Sequence, residues 1–169
     1  MFDALKHFVA RVTGGDHDRP FDEEDYRLAA VALLIHVANV DGAIDLAERR
    51  RLKTIIEERF GLDERQTAQL TAAAEQSDRK AIDFYQFTSI LKHALDEDGC
   101  RKVVEMLWEI AFADGAIHEL EENTIWRIAE LLDVPSRERV FLRQKAASED
   151  QSGLPAEGPW SASPTKGKS

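Results

Sequence analysis

The chain contains one motif twice: DGAIDLAE, Asp41 to Glu48, returns as DGAIHELE, Asp114 to Glu121, an offset of 73 residues. The same offset aligns Leu34 with Leu107, Ala38 with Ala111 and Ile55 with Ile128. Self-similarity at a fixed offset marks a repeated structural unit, and each copy must bury its apolar face against the other. Each copy holds a long apolar stretch, a tight Asp-Gly turn and a second amphipathic stretch. The segment after each copy also aligns, GLDERQTAQL with DVPSRERVFL, at an offset of 72.

Valines and isoleucines fall at steps of three and four rather than in alternation, while Pro and Gly stand at segment boundaries, so the units are helical. The expected fold is an all-α multihelical bundle of two three-helix repeats related by a pseudo-two-fold axis, with a further helix at Phe84 to Leu95 between them. The apolar helices at residues 24–40 and 100–113 are expected to bury against each other. Acids of DEEDYR fill the first turn of the former, and Pro135 that of the last helix. Residues 1–20 are expected to form an amphipathic N-terminal helix, with Phe2, Leu5, Phe8, Val9 and Val12 on one stripe, and a linker. Residues 21–147 form the domain. Residues 148–169 are too rich in Ser, Gly and Pro to fold and are expected to be a disordered tail.

A chain of 169 residues with 43% hydrophobic content suits one domain with a real core. Its 22 lysines and arginines against 32 acids give a net charge of −10, which repels a phosphate backbone and excludes nucleic acid as a partner. One cysteine, Cys100, excludes an internal disulfide and fits a reducing compartment. Its acidic neighbours disfavour a thiolate nucleophile. The longest apolar run, Leu28 to Val40, is interrupted by His36 and Asn39 and falls short of the roughly 20 residues a bilayer demands. MFDALKHFVARV lacks a secretory pattern, so the expected location is cytoplasmic, with residues 2–12 a candidate for docking on a membrane or partner.

The repeated motif admits three readings. It matches the second half of a calcium loop, with Asp41, Gly42, Ile44 and Glu48, or Asp114, Gly115, Ile117 and Glu121, at positions 5, 6, 8 and 12. Apolar or amide residues fill positions 1 and 3, so neither copy supplies the six or more oxygens of an EF-hand. The second reading is turn and cap chemistry. Gly42 would supply positive φ past a helix end, Asp45 would cap the next helix, and Glu48 would close a capping box. In the second copy His118 replaces the capping aspartate. The third reading joins the halves: His36 and Glu109, one offset apart inside apolar helices, need partners. With Asp41, Glu48, Asp114, Glu121 and His118 they could form a mixed nitrogen and oxygen site for a divalent cation. A His36 to carboxylate hydrogen bond is the alternative.

HVANVDGAIDLAE and EMLWEIAFADGAIHELEEN resemble the TerB-like domains of bacterial tellurite-resistance operons and of some membrane-tethered co-chaperones, most like the stand-alone bacterial branch. The resemblance covers residues 22–146 and implies an all-helical fold of two three-helix repeats without an established catalytic activity. No nucleophile with a base, phosphate-binding glycine loop or basic groove is visible. The expected function is a non-enzymatic module for a protein partner, linked to stress or tellurite-resistance functions. Binding or sensing a divalent cation through the duplicated turns is the alternative, and metal-assisted hydrolysis a third reading.

Overall fold

The computed structural model describes residues 21–151 except 23, 114 and 116. Among them are seven helices and no strand: α1 (Tyr26–Asn39), α2 (Leu46–Phe60), α3 (Glu64–Lys80), α4 (Tyr85–Ala94), α5 (Glu97–Ala111), α6 (Glu119–Leu131) and α7 (Ser136–Gln151). The fold is the expected all-α bundle. The helix expected at residues 2–12 and the tail beyond 151 lie outside the described residues. No described helix is long and apolar enough to cross a membrane.

Side-chain caps set most helix starts, because the first turn leaves backbone N–H groups without partners. Asp25 accepts the Arg27 N–H at 2.9 Å and opens α1, so the acids of DEEDYR precede the helix instead of filling its first turn. Both α2 and α3 open with complete capping boxes, Asp45 with Glu48 and Asp63 with Gln66. Asp96 accepts the Gly99 N–H at 2.8 Å, which starts α5 three residues ahead of the expected Cys100. Pro135 stands one residue before α7, its carbonyl accepting from the Arg139 N–H at 3.0 Å, rather than inside the first turn. α7 then runs on to Gln151, past the expected domain limit at 147.

Helix ends recur at the sequence offsets. The Val40 N–H donates to Val37 O at 3.2 Å and the Gly42 N–H to Asn39 O at 3.0 Å; Ala113 and Gly115 donate to Ile110 and Phe112 at the same two distances. Gly42 has φ 128° and Gly115 φ 80°, a region in which a Cβ is strained. After α2 and α6 the left-handed position is filled by Gly61, φ 62°, and by Asp133, φ 57°; aspartate is among the few residues that tolerate it.

α1 forms the centre. From Leu28 to Ala38 every residue but His36 is buried, and the helix packs most extensively on α3, then on α4 and α5. The expected pairing of α1 with α5 is therefore present, but as one of several contacts around α1 rather than the dominant one. α5 adds Trp108, fully buried, whose ring meets Trp126 of α6 edge-on at 5.4 Å.

Leu34 and Leu107, both fully buried, should each lose about 2–5 kcal/mol on substitution by Ala. The exposed Leu46 and Leu120 should stay within about 0.5 kcal/mol. Urea denaturation of the four variants checks this; equal losses at Leu107 and Leu46 would contradict the placement of α5.

Candidate metal centre

The six expected ligands among the described residues do not meet at one point. His36, near the end of α1, points its Nδ1 to Asp78 Oδ1 of α3 at 2.9 Å, and its ring lies 5.4 Å from that of Phe84. This is the hydrogen-bonded alternative, with an acceptor that the sequence reading did not name. Glu109 on α5 does not approach His36. It is paired with Arg59 of α2, and Arg51 approaches at 3.4 Å. Glu48 is 3% exposed and occupied by its own cap, accepting the Asp45 N–H at 2.9 Å. Asp114 lies outside the described residues.

Arg59, Glu105, Glu109 and Lys145 form a separate network across α2, α5 and α7. Glu105 sits one turn before Glu109 and takes Lys145 at 2.8 Å and Arg59 at 3.5 Å. Burial works to raise the Glu105 carboxyl, but the Lys145 hydrogen bond and the Arg59 charge outweigh it and hold the group below its ordinary range. None of these basic partners was foreseen, although a signal existed. Arg51 and Arg59, eight apart, share one helix face, as do Glu105 and Glu109, four apart. Cys100 behaves as expected: burial first, then Asp96, pushes its thiol up, away from nucleophilic use.

Three of the expected ligands do converge. Asp41 follows α1 in the first Asp-Gly turn; His118 and Glu121 open α6 after the second. One ligand atom from each lies within 4.8 Å of the others, and His118 Nε2 is 3.5 Å from Asp41 Oδ2. Glu121 is 1% exposed while the His118 side chain is half exposed, so the cluster has a buried floor and an open mouth. His118 occupies the N-cap of α6 but makes no side-chain cap, which leaves the imidazole directed at the other half of the molecule. Ligands about 2.0–2.2 Å from one tetrahedral ion stand roughly 3.3–3.6 Å from one another, so the exposed Asp41 and His118 side chains would draw in by up to about an ångström around it.

These features define a class: an all-α bundle in which two Asp-Gly turns, each following a buried apolar helix, are linked by a carboxylate and imidazole cluster. A family model described as tellurite resistance protein TerB matches residues 27–144, and the chain belongs to that family. No curated protein and no solved structure matches it.

The network across α2, α5 and α7 yields a pH prediction. A carboxyl held low in the folded state contributes stability above its unfolded value, near 4.3, and loses it as pH falls through the depressed folded value. Lys145→Met should therefore lower stability at neutral pH and flatten the acid-side decline below about pH 5. Urea midpoints at pH 7 and in acid test this; a loss of equal size at both would contradict the pairing.

Proposed function

We propose that this TerB-family chain is a non-catalytic binding module of the tellurite-resistance type, and that Asp41, His118 and Glu121 hold a divalent cation that ties its two halves together. The observation that carries the reading is the meeting of Asp41 from one Asp-Gly turn with His118 and Glu121 from beyond the other. Family membership supports the tellurite-resistance setting. The lone, buried Cys100 suits the reducing interior of a cell, and a cytoplasmic location is part of the same reading.

We infer also that α1–α3 and α5–α7 are copies related by a pseudo-two-fold axis. The recurring hydrogen bonds at the helix ends, and the left-handed residues that follow α2 and α6, support this.

One imidazole and two carboxylates form a mixed donor set, which suits zinc or manganese better than calcium, whose six or more oxygens three residues do not supply. Three protein ligands leave coordination positions open at the mouth. A carboxylate or imidazole from a protein partner would fill them, and the apolar Leu46 and Leu120, 72% and 57% exposed at the starts of the two following helices, offer contact surface. The residues would thus act by binding rather than by chemistry.

Calorimetric titration with zinc, manganese, calcium and magnesium tests the reading. Zinc or manganese should give heat in the wild type, and Asp41→Asn, His118→Ala or Glu121→Gln should each weaken binding by about 10-fold or more. His36→Asn, whose imidazole pairs with Asp78 and is not part of the cluster, should leave affinity unchanged. A folded wild type that takes up none of the four ions would reduce the cluster to an ion pair between turns and sink the proposal.

A further inference from the structure

The outer face of α7 carries apolar surface that the bundle does not cover. Its exposed residues recur every four positions, and one row runs Arg137, Phe141, Lys145, Glu149. Phe141 stands near the middle of the helix and is 63% exposed, with Val140 exposed beside it. One exposed apolar side chain is ordinary, but here a receptor for it lies on the same face. A shallow hollow is lined by Phe141, Gln144, Lys145, Ser148 and Glu149. The first four stand at i, i+3, i+4 and i+7, the positions of a helix that form the hole for a knob from a facing helix. The Lys145 ammonium is drawn aside to Glu105 at 2.8 Å, which leaves its methylene stem as one wall of the hole.

We propose that this face is a self-association surface, on which a second copy of the chain packs its own α7 antiparallel, Phe141 of each copy filling the hollow of the other. Two independent features select the same register. The hollow is centred between residues 144 and 145, so seating residue 141 in it puts the two-fold axis close to residue 143. The charges at the ends of the row agree, because Arg137 and Glu149 lie equally far on either side of 143. Each Arg137 then faces Glu149 of the other copy, about 9 Å along the helix from the axis. A parallel pair would instead set like charges side by side at both ends, which is unfavourable. Knob, hole and both charges belong to one helix of one chain, as an interface between identical copies requires, and such a pair closes as a dimer. The copies share a net charge of −10, but at physiological ionic strength that repulsion is screened beyond about 8 Å, whereas the end pairs are in contact. One helix face per copy is at the small end of specific interfaces, so a Kd on the order of 10–100 μM is expected.

Sedimentation of the full chain from about 5 μM to about 1 mM tests the pairing, with EDTA present so that no cation bridges the copies. The wild type should pass from monomer to dimer across this range. Phe141→Asp should raise Kd by more than about tenfold, as loss of a central aromatic anchor does. Arg137→Glu and Glu149→Arg should each raise it by about fivefold, and the two together should return it to within about twofold of the wild type, because the antiparallel pair is rebuilt with its charges exchanged. Circular dichroism reports whether each variant keeps its helices; if Phe141→Asp loses them, Phe141→Ser takes its place with the same expected outcome. A wild type that stays monomeric at the top of the range overturns the proposal. So does a dimer untouched by the substitution at Phe141, which would put the contact on another face, and so does a charge reversal that the double variant fails to rescue.

Discussion

A helix without a polar face has to be surrounded, and α1 is such a helix: 14 residues in which all but a few at the ends, and His36, are buried. Burying apolar surface contributes about 25 cal/mol for each Å² removed from water, which only a shell of other helices can collect here. α3, α4 and α5 supply much of that shell. The remaining architecture follows from the need to bring the chain back. α1 ends at Asn39 and α2 begins at Leu46, so the direction must change within a few residues, and Gly42 at φ 128° makes this feasible. The turn carrying Asp41 is thereby fixed at the end of the most fully buried helix.

The same packing governs the charges. An overall −10 makes self-repulsion the dominant long-range field, and three acids near the core are each given a specific answer. Glu48 answers a backbone N–H at the start of α2, Glu109 answers Arg59, and Glu105 answers Lys145. Breaking one member of such a pair leaves the other desolvated, which is why Arg59 serves two carboxylates at once. Exposed pairs such as Lys53 with Glu64 contribute far less.

Local signals were legible in the letters; long-range ones were not. Capping boxes, glycine at helix ends and the three-and-four spacing are short-range physics, so seven helices and the turn at Gly42 could be read directly, with errors of a few residues at Glu97 and Gln151. The convergence of Asp41, His118 and Glu121 was anticipated only as part of a larger set. Nothing in the sequence near His36 points to Asp78, because 42 residues of intervening chain decide which helix face lies opposite. The partners of Glu109, Arg59 and Arg51, were hidden for the same reason: the chain between α2 and α5 decides which face of α2 lies opposite.

The difference between the two turns comes down to one letter. In the first copy Asp45 is small and acidic, accepts the Glu48 N–H at 2.8 Å, and closes the helix start upon itself. In the second copy the equivalent residue is His118, whose imidazole makes no cap and reaches Asp41 across the molecule at 3.5 Å. Glu121 keeps the buried position that Glu48 has in the first copy. A residue that would have satisfied its own helix thus forms a link between halves, and the repeat acquires a polarity that two identical copies would lack. Restoring aspartate at position 118 would rebuild a local cap and set a third carboxylate beside Asp41 and Glu121, where like charges repel unless a cation intervenes. Histidine there avoids that repulsion and pairs with Asp41 instead, so the asymmetry suits a link between the two turns better than symmetry would.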